Sequence, residues 1–397
     1  MAGGAPPFGH EKSELVVALE AAADERIAPN ARDVDKKSRF PQEALDVMRE
    51  LRILSSSLPV ELGGLGLKLP ELTEIASVLG RRCGASAVIF AMHESQIETL
   101  RFGTVGNAHF EGILRDFAEN QRLVASITSE AGIGGDIHSS QTVAGAETEG
   151  VHFVKQAPTV SYAEYADGFL ITARRAEDAA QSDQVFVYAS KDEIELEKLG
   201  EWDTMGMRGT CSPPFKVTVD VPAANLADAP FGMLSNYRME PWSLILWAAS
   251  WEGIATSAFD KAAHAVRKKA KKQIADGVPL GDPRLADAYG VLQALRALIY
   301  EYARVFQEHA DVTSDYRVAE ETRTLAVDAM SVKVNASMMA SRVAELCLEI
   351  IGMPGYSESA PMSVSREIRD LMGGRLMVSN DRLRKAGGEI LMMGAQV

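Results

Sequence analysis

The chain is poor in cysteine, in net positive charge and in long apolar runs, and each shortage excludes something. Its three cysteines, Cys83, Cys211 and Cys347, lie far apart and form no CxxC or Cys/His ligand spacing. That argues against structural zinc and against a disulfide scaffold, and it fits a reducing compartment such as the cytoplasm. Acidic residues outnumber basic ones, 55 to 41, for a net charge of −14. A nucleic-acid binder needs a basic surface, so that class is excluded. The main cationic run, Arg267, Lys268, Lys269, Lys271 and Lys272, reads as a solvated helix face, with docking of an anionic ligand tail as the minority alternative. No apolar run reaches transmembrane length; the richest, Trp242 to Ile254, is short and carries Glu252. The first fourteen residues show no basic-then-apolar signal pattern. These features predict neither nucleic-acid nor membrane partners.

What is present is an ordinary globular composition, 46% hydrophobic and 24% charged, over 397 residues. That length predicts two or three structural units. Residues 1–121 are mostly helical in pattern: Leu15, Val16, Leu19 and Ala22 recur at helical spacing, as do Ala44, Leu45, Met48 and Leu51. From 122 to 235 the pattern turns to short strands at Leu123–Thr128, Val151–Lys155, Gly168–Ala173, Gln184–Ala189 and Phe215–Val221. Their near-regular spacing suggests a compact antiparallel sheet or barrel. From 236 to 397 four helical stretches, 242–272, 283–311, 316–351 and 363–393, predict a bundle. Helices and strands do not alternate, and no GxGxxG opens a helix after a strand. A doubly wound dinucleotide fold is therefore disfavoured; the expected class is α+β.

Three segments could carry chemistry. Thr128-Ser-Glu-Ala-Gly-Ile-Gly-Gly-Asp136 puts hydroxyls and glycines directly after a strand, where backbone N–H groups can approach a ligand. Trp202 to Ser212 is a second loop, and Gly352 to Pro361 a third, offering Glu358 and several hydroxyls between two helices. Each alone reads more readily as an ordinary loop.

Together, in this order and spacing, they resemble the acyl-CoA dehydrogenase superfamily. Phe40-Pro41 followed by Pro59-Val-Glu-Leu-Gly-Gly-Leu-Gly is similar to the family's N-terminal helical pattern. Thr128 to Asp136 resembles its flavin loop, Met205 to Ser212 its middle-domain arginine segment, and Ile351 to Tyr356 with Arg369-Asp370 its C-terminal signature. The resemblance implies a helical domain, a β domain and a C-terminal four-helix bundle. It also implies FAD (or FMN, or reduced flavin supplied by a reductase) bound between the last two, and a homodimer or homotetramer. On matching positions, Thr128 and Ser129 are expected against the flavin ring. Ser161 stands at a threonine position of the family, Thr159 at an aromatic one, and Gly135 at a serine. Lys269 and Lys272 fall where the family reaches a neighbouring subunit's flavin, and Ser379 and Asn380 near its adenylate end.

The resemblance also exposes departures. Ser359 stands where the glutamate base of a dehydrogenase is expected in the loop after Gly355, with Glu358 one residue away; near the alternative base position stands Ser243, with Glu240 close by. A serine with no partner base cannot take a proton at neutral pH. The leading expectation is a flavin-dependent oxidation of an acyl thioester or related small substrate, with Glu358 as base and an electron-transfer flavoprotein as partner. The alternative is a two-component monooxygenase fed by a flavin reductase, with His93 and Ser359 as candidate proton donors. His93 alone reads as a satisfied core residue. A third alternative is a non-catalytic subunit of a hetero-oligomeric dehydrogenase.

Overall fold

The computed structural model describes residues 12–145, 150–275, 282–317 and 323–394. Six helices come first: α1 (Glu14–Ala22), α2 (Ala31–Lys37), α3 (Gln42–Glu50), α4 (Leu69–Arg82), α5 (Gly84–Gly103) and α6 (Ala108–Asn120). Helix α4 shows how the sequence sets its own limits. Pro70 sits in the first turn, where its missing N–H costs nothing, and the Glu71 carboxylate accepts from the Lys68 amide at 2.8 Å. Leu69, Leu72, Ile75, Ala76 and Leu79 form its buried stripe. Helix α5 is buried along nearly its whole length, including Glu94 and Glu98.

The middle layer holds β1 (Val124–Ile127), β2 (Val151–Ala157), β3 (Gly168–Arg174), β4 (Gln184–Ser190), β5 (Ile194–Lys198) and β6 (Phe215–Val221). They form two three-stranded sheets, ordered β1-β3-β4 and β2-β6-β5. Two details differ from the sequence-based expectation. Strand β1 runs parallel to β3, Val124 opposite Gly168, so the layer is not wholly antiparallel. Strand β5, Ile-Glu-Leu-Glu-Lys, was not anticipated: it is short and three of its five residues are charged. It is the edge strand of its sheet, paired with the central β6, where only alternate side chains need to be apolar.

The C-terminal part contains α7 (Phe231–Leu234), a π-turn over Ser235–Met239, then α8 (Glu240–Ala275), α9 (Pro283–Val312), α10 (Arg323–Ile351), α11 (Met353–Tyr356), α12 (Ser365–Gly373) and α13 (Asn380–Met392). The expected fourth helical stretch is thus broken in two. Gly374 packs against the Trp251 indole, where an added Cβ would come within 3.0 Å, and Val378 takes a left-handed φ of 44° before α13 begins. A helix cannot pass through that conformation.

Helices α4 and α8 touch backbone to backbone. A Cβ on Gly80 would lie 2.3 Å from the Ser250 carbonyl oxygen, and one on Gly253 would lie 2.2 Å from that of Ser77. Two glycines therefore fix the crossing. Beside it the Glu252 carboxylate accepts from Arg296 at 2.6 Å and from the Ser77 hydroxyl. Helix α8 also packs on α5, and its first turn, which begins at Glu240, reaches the site.

Candidate functional site

Strand β1 delivers the chain to Thr128, and the loop that follows is pinned by a buried carboxylate. Glu130 accepts from the Ser140 hydroxyl (2.7 Å), the amides of Gln141 (3.1 Å) and Thr142 (2.8 Å), and the Thr142 hydroxyl (2.9 Å). Lys155 stands 3.6 Å away. Burial pushes the Glu130 carboxyl up, but Ser140, Lys155 and Thr142 outweigh it and hold the group below its ordinary value. Between these anchors Gly132, Gly134 and Gly135 take φ of 90°, 61° and 81°. A side chain at any of them would be strained. Arg382, from α13, donates to the Gly134 carbonyl, and a Cβ on Gly135 would meet its guanidinium at 3.4 Å.

This loop forms one wall of a cavity of about 430 Å³. Helix α5 contributes Met92, Ser95 and Gln96; α8 contributes Glu240, Ser243, Leu244 and Trp247; α10 contributes Met330; and Val378, Arg382 and Leu383 close the far side. The size suits a small molecule. The donor set beside it fits a flavin nucleotide. Thr128 and Ser129 supply hydroxyls at the end of β1, and the glycine turn with Arg382 supplies backbone and cationic contacts for a phosphate.

A histidine–carboxylate pair lines this cavity. His138 Nε2 lies 2.6 Å from a carboxylate oxygen of Glu240 at the first turn of α8. Hydrogen bonding to Glu240 raises the His138 pKa above its ordinary value, against the opposing effect of burial. Glu240 also accepts from the Ser235 hydroxyl at 3.0 Å, and Asp136 accepts the His138 amide at 3.1 Å.

Several residues singled out from the sequence meet here. Thr128 and Gly135 line the cavity. Ser129 donates to the Thr159 carbonyl at 2.7 Å, tying the glycine loop to the segment after β2. Two residues on, Ser161 receives a hydrogen bond from Ser212 at 2.9 Å, which is in turn 2.9 Å from the Thr210 hydroxyl. Others lie elsewhere. Asn380 is buried against Lys333 (2.7 Å) and Ser337 (3.0 Å), and Ser379 is exposed at the start of α13. Lys269 is exposed on α8, 26 residues beyond Ser243 and so roughly 39 Å along the helix. The side chain of Lys272 lies outside the described residues.

Glu358 and Ser359 are not brought to Thr128. They line a separate polar cavity with Arg32, Asp35, Lys36, Met205, Arg208 and Arg369. There Glu358 is 65% exposed and 3.3 Å from Arg369. His93 takes no part either: it is fully buried, with Nε2 2.7 Å from the Leu54 carbonyl and Nδ1 accepting from the Val124 amide at 3.1 Å. Both nitrogens are committed, and burial pushes its pKa down to about 4. It cannot serve as the proton donor considered for a monooxygenase.

Sequence reading missed His138, although it directly follows the glycine loop. Val378 stands with Ser379 and Asn380 near the family's adenylate-end position, and Arg382 follows in the same segment, but only the break before α13 turns these two to the cavity. Among the described residues no group of three His, Cys, Asp or Glu could hold a metal, and no helix is long and apolar enough to cross a membrane.

Comparisons with known proteins agree with this architecture. Residues 9–106 match the acyl-CoA dehydrogenase N-terminal domain, and residues 242–378 match the acyl-CoA dehydrogenase C-terminal domain. L-evernosamine nitrososynthase from a Micromonospora strain is 27% identical over 383 residues, covering 91% of this chain and 86% of that protein. Cyclohex-1-ene-1-carbonyl-CoA dehydrogenase from Geobacter metallireducens is 26% identical over 371 residues, covering 91% and 93%. The FMN-bound structure of TdsC from Paenibacillus sp. A11-2 superposes with a TM-score of 0.83 at 19% identity, covering 97% of this chain and 98% of that one. With both family domains matched in order around the β layer, the chain belongs to the acyl-CoA dehydrogenase superfamily of flavin-dependent oxidoreductases.

Proposed function

We propose that the chain is a flavin-dependent monooxygenase, which takes reduced flavin and O₂ and oxygenates a small, largely apolar molecule held in the cavity beside Thr128. One observation carries this reading: among the described residues, each carboxylate of the cavity wall already has a hydrogen-bond or ion-pair partner. Glu240 is engaged by His138 and Ser235, Asp136 by the amide of its own turn, and Glu389 sits at the rim with its side chain 58% exposed. Ser243 and Val378 offer none. Abstraction of an α proton from an acyl thioester requires such a base within reach; oxygen transfer does not.

The bound flavin would supply the two-electron chemistry. The chain's own residues would hold it and shape what lies next to it. Thr128, Ser129, Gly135, Thr159 and Ser161 form the face expected to receive it, and Arg382 the cation for its phosphate. Met92, Leu244, Trp247, Met330 and Leu383 make the rest of the wall mostly apolar, which orients substrate and excludes water. Relatives of both kinds support an oxidoreductase. TdsC is a dibenzothiophene monooxygenase, and the Micromonospora relative is a nitrososynthase. A flavin reductase is the partner this reading requires, and assembly as a homodimer or homotetramer is expected from the family.

A second reading, favoured by the match to the Geobacter dehydrogenase, is oxidation of an acyl thioester with Glu358 as base and an electron-transfer flavoprotein as acceptor. Rapid mixing of the reduced, flavin-loaded protein with oxygen separates the two. The monooxygenase reading expects prompt reoxidation through a transient spectral species. Sluggish, single-phase reoxidation, together with reduction of the flavin by an acyl-CoA that Glu358→Gln abolishes, would replace it with the second.

A further inference from the structure

His138 and Glu240 come from different parts of the chain, one from the glycine loop of the β layer and the other from the first turn of α8. They meet at the cavity wall, 2.6 Å apart. Glu240 is held from behind by Ser235, and its side chain is only 15% exposed, whereas that of His138 is 45% exposed. The carboxylate is therefore the more buried partner and the imidazole the more exposed one, and both line the cavity. Glu240 engages Nε2, which leaves Nδ1 to exchange protons.

The other walls offer no better candidate. Helix α5 presents Met92, Ser95 and Gln96, and α10 presents Met330, none of them titrating near neutrality. Helix α13 presents Arg382, committed to the Gly134 carbonyl, and the rim pair Lys385 and Glu389, 3.9 Å apart. On the loop itself Asp136 accepts the His138 amide. A surface tether would not need to be placed at the wall of a cavity lined by Trp247, Leu244 and Leu383. A proton donor for chemistry in that cavity must be there.

We propose that His138 is the catalytic acid of this site and Glu240 the residue that positions it. The assignment rests on the oxygen-using reading given above. The balance is as follows. When bound, anionic reduced flavin would supply two electrons and one proton, and O₂ would supply both oxygen atoms. His138 gives the second proton to the oxygen that leaves. With substrate present, the other oxygen atom is transferred and water departs. Without substrate, both oxygens leave together as hydrogen peroxide. Solvent then reprotonates His138 while Glu240 keeps the ring oriented.

Two measurements test this without knowledge of the substrate. The first is histidine NMR titration of the flavin-free protein, with the His138 signal assigned by its loss in His138→Gln. Its midpoint is expected above that of an ordinary histidine, and Glu240→Gln is expected to lower it. The second is reoxidation of protein loaded with reduced FMN, followed across pH in oxygenated buffer. Wild type should show a break at the same midpoint, Glu240→Gln should move the break down, and His138→Gln should remove it and slow reoxidation about 100-fold at low pH. A His138→Gln variant with the wild-type rate and the wild-type pH profile would overturn the assignment, and so would a midpoint indifferent to Glu240→Gln. Failure of the oxygen-using reading is distinct, because it shows in the wild type alone as reoxidation no faster than that of free reduced FMN.

Discussion

The Lys155 ammonium stands 3.6 Å from a Glu130 carboxylate oxygen, with side-chain exposures of 0% and 5%, at the base of the glycine loop. Lys155 also donates to the Thr172 carbonyl at 2.6 Å. Burial pushes its pKa down to about 8, with Glu130 opposing. The folded value is below the unfolded one of 10.5, so the folded state binds fewer protons between them and stability rises with pH across that window. Urea unfolding of wild type and Lys155→Met should diverge in favour of wild type between about pH 8 and 10.5, by on the order of 3 kcal/mol. A constant difference would mean that Lys155 is not the buried titrating amine.

His93 gives the same signature in a lower window, in acid. Burial holds its pKa near 4 in the folded protein against 6.5 unfolded. Its contribution is complete above the unfolded value and is lost as pH falls through the folded one. The wild type should lose stability between about pH 6.5 and 4, by up to roughly 3 kcal/mol from this residue. His93→Gln should be less stable at pH 7 and show a shallower decline in the same urea series.

The crossing of α4 and α8 has no room for a methyl group. Gly80→Ala would set a Cβ against the Ser250 carbonyl and force the helices apart. A loss of about 1–3 kcal/mol in urea unfolding is expected. Because α8 carries Glu240 and Ser243, the variant should also bind flavin or cavity ligands more weakly than its stability loss alone explains.

The sequence made some of this legible and hid the rest for physical reasons. The three-part architecture follows from periodicity, because 3.6- and 2-residue patterns are local. The glycine loop was visible because left-handed backbone leaves a compositional mark. Where the cavity lies was not visible. It is built from the glycine loop, the first turn of α8 and the start of α13, which bring His138, Glu240 and Arg382 together from positions far apart in the chain. Glu358 illustrates the converse: it lies beside a family signature, yet its side chain points to Arg369 in a different cavity. Adjacency in sequence ranks residues by spacing, whereas chemistry depends on which wall they share.

Flavin titration of the flavin-free protein, followed by quenching of flavin fluorescence, in wild type, Arg382→Ala and Gly135→Val tests the placement of flavin on this loop most directly. Saturable binding is expected in the wild type. Arg382→Ala should weaken it about tenfold, in line with loss of one charge-assisted contact, and Gly135→Val should abolish it while the far-UV spectrum stays native. Wild-type protein that binds neither FMN nor FAD, or variants that bind as the wild type does, would contradict the placement of flavin on this loop.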